Sequence, residues 1–303
     1  MKTVLITGGT GLVGTHLTNY LISKGFRIHC LSRKRLISDK KELKYFYWNI
    51  SELEIDLNAF ENVEYVVHLA GENIAGQKWY EHYKLMLDHS RTMSTYWIIH
   101  NILKHKVPIK KFIGASAVGF YGMQRSDKVF TEQDFGNNDF LSRLCEKWEA
   151  SYFPLFDNDI NTAIIRIGLV LSKEGGLYAK LKPIFKWGLG CALGSGKQNM
   201  PWIHIEDLCR MIEFLMEHPE YTGIYNAVSD EQVNNYEFSK QLAKSLNAPF
   251  FLPNIPEWVL KLMLGEMHKM LVTGVKVSNE KIKSKGFQFK FSKLEEALKD
   301  LNQ

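Results

Sequence analysis

The sequence predicts an α/β protein with a doubly wound parallel sheet, followed by a small α-rich C-terminal lobe. Three observations support this prediction. Short apolar or β-branched runs alternate with helical patterns through the first half of the chain, which is typical of a parallel sheet covered by helices on both faces. A glycine-rich turn follows the first of these runs. After Gly168 the alternation gives way to an irregular glycine-rich stretch.

Six runs are predicted to be strands, because each is short, apolar and free of proline. They cover residues 3–7, 27–32, 45–48, 65–70, 111–116 and 162–168. Helical periodicity covers residues 13–24, 92–105 and 140–153. Strands that alternate with helices in this way form a doubly wound sheet, and ligands bind such sheets outside the carboxyl ends of the strands.

The turn after the first strand carries the motif LITGGTGLVGTHL. Glycines in this position permit a tight turn and a close approach to a pyrophosphate, and the helix that follows offers free N–H groups. The motif lies between a strand and a helix, as dinucleotide binding requires, although a purely structural turn is the alternative. The predicted contacts are Gly8, Thr10, Gly11, Leu12, Val13 and Gly14.

The second strand ends in LSRKR, and this position discriminates between the two nicotinamide dinucleotides. A carboxylate there accepts hydrogen bonds from a ribose 2′-OH, whereas a cation suits a 2′-phosphate. Ser32 can hydrogen-bond a phosphate, and the guanidinium of Arg33 can pair with it. We therefore predict NADP(H) as the cofactor, the alternative being a solvated basic turn.

These features divide the chain into two units. We expect a Rossmann domain at residues 1–168, to which residues 200–230 return. Residues 169–199 and 231–303 are expected to form a smaller lobe that holds the substrate. The first of these segments is glycine-rich and irregular, and the second has helical patterns that end in KLEEALKDL.

Composition excludes several classes of protein. The net charge of +5 arises from 38 basic and 33 acidic residues that are scattered along 303 positions, too diffuse for a nucleic-acid interface. The four cysteines show no CxxC pair, so neither a metal site nor a disulfide framework is expected. No window supplies about twenty uncharged apolar residues. We expect a cytoplasmic protein with a small-molecule substrate, without nucleic-acid or membrane partners, and a homodimer remains open.

Several motifs together resemble the extended short-chain dehydrogenase/reductases, and more closely an atypical subfamily. That subfamily is NAD-dependent epimerase/dehydratase-like and is sometimes labelled a cell-division inhibitor, or SulA-like, protein. The matching motifs span nearly the whole chain in order. They are TGGTGLVG, HLAGENI, SRTMST, SAVGFYG, LCEKWE, RIGLVLS, GGLYAKLKPIFKWGLG and LGSGKQNMPWIHIEDL.

The resemblance implies further cofactor contacts at Leu69, Ala70 and Gly71 in HLAGENI, and at Leu169 in RIGLVLS. It also implies a cofactor role for Arg91, which occupies the place where the superfamily usually has an asparagine. An arginine on the surface of an ordinary helix is the alternative for Arg91.

The resemblance fails at the usual catalytic dyad. In the superfamily a tyrosine four residues before a lysine transfers the proton. If Glu149 is aligned with the glutamate that commonly follows that lysine, the two positions fall on Leu141 and Cys145. Lys147 points about 200° around the helix from Cys145 and cannot replace the lysine.

Other groups must then supply any proton. The candidates are Ser116, which keeps the usual serine to within one position, Tyr121 at the end of the fifth strand, and His204 in PWIHIED. Packed core residues are the alternative for Tyr121 and His204. The resemblance further places a substrate loop at Lys197, Gln198 and Trp202, which implies a polar, anionic or sugar-like ligand.

The predicted function is therefore an NADP(H)-dependent oxidoreductase or epimerase-like enzyme with an unusual active site. A protein that binds NADP(H) without catalysis and reports its redox state to a partner is the main alternative. A structural protein that keeps a vestigial cofactor site is a third. The loss of the dyad favours the last two, and the retained GSGKQNMPWIH motif favours the first.

Overall fold

The computed structural model describes residues 1–303 and contains a central sheet of eight strands. The strands are β1 (Thr3–Thr7), β2 (Arg27–Ser32), β3 (Leu43–Asn49), β4 (Glu54–Ile55), β5 (Val63–His68), β6 (Lys111–Ala117), β7 (Arg125–Phe130), β8 (Thr162–Ile167), β9 (Leu169–Leu171), β10 (Trp202–His204), β11 (Gly223–Ala227) and β12 (Gly274–Val277). The central sheet has the order β11-β8-β6-β5-β1-β2-β3-β4, and β9–β10 and β7–β12 form separate pairs. All pairings in the central sheet are parallel except that of β4 with β3.

Eleven α-helices connect and cover these strands. They are α1 (Leu12–Ser23), α2 (Glu81–Lys104), α3 (Phe140–Ala150), α4 (Phe153–Asp157), α5 (Gly176–Lys186), α6 (Ile205–Glu217), α7 (Asn235–Ser245), α8 (Glu257–Leu264), α9 (Lys269–Val272), α10 (Glu280–Ser284) and α11 (Leu294–Leu301). Short 3-10 helices occur at Leu57–Phe60, Val118–Tyr121 and Gly265–His268. None of the helices combines the length and the apolar composition needed to cross a bilayer.

The predicted fold class is confirmed, and the strand order places the ligand-binding edge. The chain builds outward from β1 to β3, then returns to lay β5, β6, β8 and β11 on the other side. The order therefore reverses between β1 and β5, and ligands bind at such a switch point. The helix expected at residues 92–105 begins earlier, at Glu81. Its N-cap, Tyr80, makes no side-chain capping bond, so the sequence carries no start signal there.

Both faces of the sheet are buried, as the continuous apolar strands predict. In β1, Val4 and Ile6 lie in one apolar cluster and Leu5 lies in the other, because successive strand residues point to opposite faces. The first cluster includes α1 and α6, and the second includes α2 and α3. A third cluster gathers α5, α7 and α11 around the buried Trp202.

His68, at the end of β5, is a buried histidine with a complete set of partners. Its Nδ1 lies 2.8 Å from the hydroxyl of Thr7, and its Nε2 lies 3.1 Å from that of Thr95 and 3.3 Å from that of Ser94. Burial lowers the pKa of His68 to about 3. The imidazole is therefore neutral in the folded protein across the physiological range, and its role is to join β5 to β1 and α2.

We predict that acid destabilises the fold partly through His68. Between pH 6.5 and about 3 the unfolded chain binds a proton there that the folded chain does not. The free energy of unfolding therefore falls as pH falls, by about 1.4 kcal/mol per pH unit for this one group. The free energy of unfolding, measured with urea at several pH values in this range, should change less steeply with pH in His68→Gln, by that amount per pH unit. The exposed His82→Gln should keep the full slope, and equal slopes in all three proteins would contradict the prediction.

Candidate functional site

The turn after β1 is built from glycines that no other residue could replace without movement. Gly8 has a φ of +68°, and a Cβ there would lie 2.7 Å from the carbonyl oxygen of Leu69. A Cβ on Gly14 would lie 2.2 Å from the carbonyl oxygen of Gly8. Because both positions lack a Cβ, the backbone of the first turn of α1 lies directly against the loop. The loop thus forms a compact backbone cradle at the switch point.

The N-terminus of α1 points into this cradle with its N–H groups uncapped. Its N-cap, Gly11, has no side chain, and the first turn contains no acidic residue. The Gly11 N–H donates to the Gly8 carbonyl at 3.0 Å, which closes the turn below the helix. Free N–H groups and the positive end of the helix dipole favour an anion such as a pyrophosphate. The residues present therefore fit a dinucleotide.

A cleft of about 990 Å³ opens in front of the cradle. It runs along the carboxyl ends of β1, β2, β3 and β5, and α2 forms its other wall. Eight of the thirteen predicted cofactor contacts line it, namely Gly8, Thr10, Gly11, Ser32, Arg33, Leu69, Ala70 and Gly71. Leu12, Val13 and Gly14 form the first turn of α1, behind the cradle.

The end of β2 places an exposed cation at the mouth of the cleft. The Arg33 side chain is 79% exposed, and its Nη1 lies 3.9 Å from Oε2 of Glu72 across the cleft. Ser32 is buried, and its hydroxyl accepts a hydrogen bond of 3.1 Å from the Lys34 N–H. Arg33 is therefore able to turn toward a phosphate, because its one ionic contact is long and exposed.

Arg91 and Leu169 are the two predicted contacts that lie outside the lining of the cleft and outside α1. Arg91 donates to the carbonyls of Glu72 and Leu87, each at 3.0 Å, and its guanidinium lies 5.0 Å from the ring centre of Trp148. Burial lowers the pKa of Arg91. Arg91 thus holds the cleft wall from behind. Leu169 pairs with the β10 segment through an N–H bond of 2.7 Å to the Pro201 carbonyl.

All three catalytic candidates have buried side chains that do not line the first cleft. Tyr121 donates to Asn226 at 2.7 Å, and burial raises its pKa to about 12. His204 caps α6 by accepting from the Glu206 N–H at 3.2 Å, and burial lowers its pKa. Ser116 donates to Glu149 at 2.6 Å. Tyr121 and His204 pack as the alternative interpretation expects.

Leu141 and Cys145, the two positions that the sequence alignment assigns to the dyad, face the loop after β6. A Cβ on Gly119 would lie 3.7 Å from both the Cys145 Sγ and the Leu141 Cβ. Burial raises the pKa of the Cys145 thiol to about 12, so it stays protonated and inert. Lys147 lies on another side of α3 and bonds Asp88 of α2 at 2.6 Å. Nothing at these positions can transfer a proton near neutral pH.

A buried ion pair joins α3 to the sheet beneath these positions. Arg166 of β8 donates to both carboxylate oxygens of Glu149, each at 2.8 Å, and also to the Tyr121 hydroxyl at 3.0 Å. The side chains of Arg166 and Glu149 are only 2% and 6% exposed. Such a pair is tolerated only when its hydrogen bonds are satisfied, as they are here. It fixes α3 relative to β6 and β8.

Of the predicted substrate loop, only Lys197 is exposed. Gln198 donates to the carbonyls of Leu193 and Leu271 at 3.0 and 2.6 Å, and Trp202 donates to the Glu231 carbonyl at 3.1 Å. Both side chains are buried. Their hydrogen bonds tie the loop to the chain at Leu271 and Glu231.

A second cleft, of about 950 Å³, lies beside the first and shares Leu85 with it. Its walls come from α2, α3, the segment at residues 123–125 and the region from α8 to the start of β12. Ten of its eighteen lining residues are charged, five of each sign: Glu81, Asp88, Asp139, Glu257, Glu266, Lys84, Arg125, Arg143, Lys147 and Lys269. The mixture of charges suits a polar ligand. Sequence reasoning missed this cleft because its walls are distant in the chain.

The first cleft also has lining residues that local sequence motifs did not single out. They come from the end of β3, from the residue that follows it and from α2, and they include Trp48, Asn49, Ile50 and His89. The residues at the end of β3 could have been predicted, because the carboxyl ends of neighbouring parallel strands lie on one edge of the sheet.

Comparison with known proteins agrees with this geometry. Residues 4–228 match the family described as "NAD dependent epimerase/dehydratase family", and residues 255–301 match a domain of unknown function, DUF1731. The chain is 34% identical to epimerase family protein YfhF of Bacillus subtilis over 299 residues, 98% of this chain and 97% of the relative. It is 32% identical to the chloroplastic SDR39U1 homolog of Arabidopsis thaliana, over 99% of this chain and 87% of the relative.

Solved structures show the same relationship. The human epimerase family protein SDR39U1, crystallised with NADPH, superposes with a TM-score of 0.87 at 30% identity and covers 99% of this chain and 98% of its own. UDP-glucuronic acid 4-epimerase from Bacillus cereus shares the fold, with a TM-score of 0.79 at 16% identity, over 98% of this chain and 96% of its own. The predicted resemblance to the epimerase/dehydratase-like short-chain dehydrogenase/reductases is confirmed. The chain belongs to the NAD-dependent epimerase/dehydratase family.

Proposed function

We propose that this protein binds NADP(H) in the first cleft and is an epimerase-like oxidoreductase. The observation that carries the proposal is the glycine cradle against the uncapped start of α1, with Arg33 exposed at the mouth of the same cleft. The NADPH in the human SDR39U1 structure supports the cofactor choice. When bound, the nicotinamide supplies or accepts a hydride.

The residues of this chain would each perform a binding or positioning task. The N–H groups at the start of α1 would bind the pyrophosphate, and Arg33 with Ser32 would bind the 2′-phosphate. Asn49 lines the same end of the cleft and has both a donor and an acceptor for an adenine edge. Arg91 would position the Gly71–Glu72 backbone that forms the opposite wall.

We expect Arg33→Asp to exchange the cofactor preference. The change removes a charge-assisted hydrogen bond worth about 1.5–3 kcal/mol, so NADPH affinity should fall by roughly 10- to 100-fold. The new carboxylate can accept from a ribose 2′-OH, so NADH affinity should rise. Fluorescence titration with both nucleotides measures the two changes.

Arg27→Asp is the matched control for this titration. It makes the same charge change at the other end of β2, where the side chain is exposed and distant from the cleft. Its NADPH affinity should stay close to that of the unchanged protein. If Arg33→Asp leaves the affinity for NADPH and the affinity for NADH unchanged, Arg33 does not belong to the 2′-phosphate site.

We propose that the substrate occupies the second cleft, where residues 231–303 meet α2 and α3. Its ten charged lining residues favour a polar ligand over an apolar one. Among the side chains that line the first cleft, His89 and Glu72 carry groups that exchange protons in enzymes. They replace Tyr121 and His204 as candidates for the proton donor.

A non-catalytic NADP(H) sensor is the second candidate, and the inert pair Leu141 and Cys145 favours it. NADPH oxidation in the presence of carbonyl compounds, quinones and nucleotide sugars discriminates between the two. Turnover that His89→Gln or Glu72→Gln reduces while NADPH affinity is kept would support the enzyme. Tight NADPH binding without turnover on any of these compounds would favour the sensor.

A further inference from the structure

The C-terminal lobe exposes a group of large apolar side chains, which we call the apolar patch. It consists of Ile184, Trp187, Leu189, Phe251, Trp258, Leu262 and Met263. Trp187 is 82% exposed and Leu262 is 77% exposed. Large exposed apolar groups that gather in one region of a protein mark a surface that contacts something other than water.

The patch comes from two segments that run side by side. A Cβ on Gly188 would lie 3.2 Å from the Pro249 ring, and the Gly194 N–H donates to the Ile255 carbonyl at 2.8 Å. Ile255 in turn donates to the Ala192 carbonyl at 2.9 Å. The end of α5 with its following loop therefore lies against the chain that leads into α8.

The exposed side of helix α8 carries large apolar side chains beside the charged Glu257 and Lys261. Six of its eight residues, EWVLKLML, are apolar, yet only Leu260 is buried. Trp258 and Leu262 are four residues apart and so lie on one outward face. Apolar helix residues are normally packed against another element. No element of the chain packs against Trp258, Leu262 and Met263.

The charges around the patch are mainly positive. Residues 180–197 contain four lysines and no acidic residue, and residues 249–263 contain Lys261 and a single carboxylate, Glu257. Glu257 is paired with Arg125 at 3.0 Å. A second copy of the same patch would bring these lysines together and be repelled, whereas an anionic surface would attract them.

Although composition predicts no membrane partner, we propose that the apolar patch is a docking surface for an anionic lipid membrane, on which the protein lies without crossing it. Trp187 and Trp258 suit the interface, because an indole places an apolar ring in the acyl boundary while its N–H bonds to the head groups. Lys186 and Lys261 would contact the lipid phosphates. The NADP(H) cleft is formed by other elements and is not part of this surface.

Vesicle cosedimentation tests the proposal. The full chain is mixed with vesicles of equimolar phosphatidylglycerol and phosphatidylcholine, and with vesicles of phosphatidylcholine alone. We expect binding to the anionic vesicles that added salt weakens, and little binding to the neutral ones. Trp258→Ser combined with Leu262→Ser should reduce the anionic partition coefficient by about tenfold or more.

Ile37→Ser and Phe135→Ser are the matched controls, because these side chains are 97% and 91% exposed outside the patch. They should bind vesicles like the unchanged protein. NADPH affinity of the patch variant, measured in parallel, shows that it is folded. No binding to anionic vesicles would overturn the proposal and favour an acidic protein partner. A dimer that the patch variant dissociates, without vesicle binding, would assign the surface to a second copy and also overturn it.

Discussion

Gly14→Ala is expected to weaken NADPH binding by about a hundredfold and to destabilise the fold by about 3 kcal/mol, the upper end for overpacking. The added Cβ would lie 2.2 Å from the Gly8 carbonyl oxygen and 2.6 Å from the Gly9 Cα, both rigid backbone atoms. Alanine gains about 1 kcal/mol in helix propensity, which is smaller than this clash. The cradle must therefore shift away from α1.

Gly25→Ala is the control that separates the loss of NADPH binding from the cost of backbone strain alone. Gly25 follows the other end of α1 with a φ of +83°, and a Cβ added there would have no atom within 4 Å. We expect a cost of about 1–2 kcal/mol from the left-handed backbone and no change in NADPH affinity. Fluorescence titration and urea unfolding of both variants give the comparison. Unchanged NADPH affinity in Gly14→Ala would show that the cradle does not bind the cofactor.

Glu149→Gln is expected to cost about 3–5 kcal/mol of stability, the range for breaking a buried ion pair by removing one partner. The change leaves the guanidinium of Arg166 buried beside a neutral amide, and it removes the carboxylate that accepts from Ser116. Because α3 is held to the sheet by this pair, its position beside the loop after β6 should loosen. Urea unfolding measures the cost.

Two further variants show whether the unpaired charge is the cause. Glu149→Met combined with Arg166→Met removes both charges, so it should be less destabilised than Glu149→Gln alone. Glu295→Gln breaks the pair between Glu295 and Lys244, whose side chains are 71% and 74% exposed, so water and salt screen it and its loss should leave the unfolding transition nearly unchanged. A small loss in Glu149→Gln would contradict the structural role of the buried pair.

Local sequence signals predicted the parts of the fold that depend on local chemistry. The apolar strands, the glycine turn and the basic end of β2 are recognised from a few neighbouring residues. The start of α2 was missed because Tyr80 gives no capping signal. The residues at the end of β3 were open to prediction, since they share the sheet edge with Arg33.

Burial of polar side chains could not be predicted from local patterns. Tyr121 is buried because Asn226 and Arg166, distant in the chain, bond its hydroxyl. Trp202 is buried because α5, α7 and α11 close over it. Tyr121 ends the 3-10 helix that follows β6, and Trp202 begins β10, but the directions of their side chains depend on packing that the sequence alone does not reveal.

Direct titration of the purified protein with NADPH and NADH tests the central claim most directly. If the glycine cradle and Arg33 form a 2′-phosphate-selective site, NADPH will bind and NADH will bind roughly 10- to 100-fold more weakly. Absence of NADPH binding would contradict the account. Equal affinity for the two nucleotides would contradict the role assigned to the end of β2.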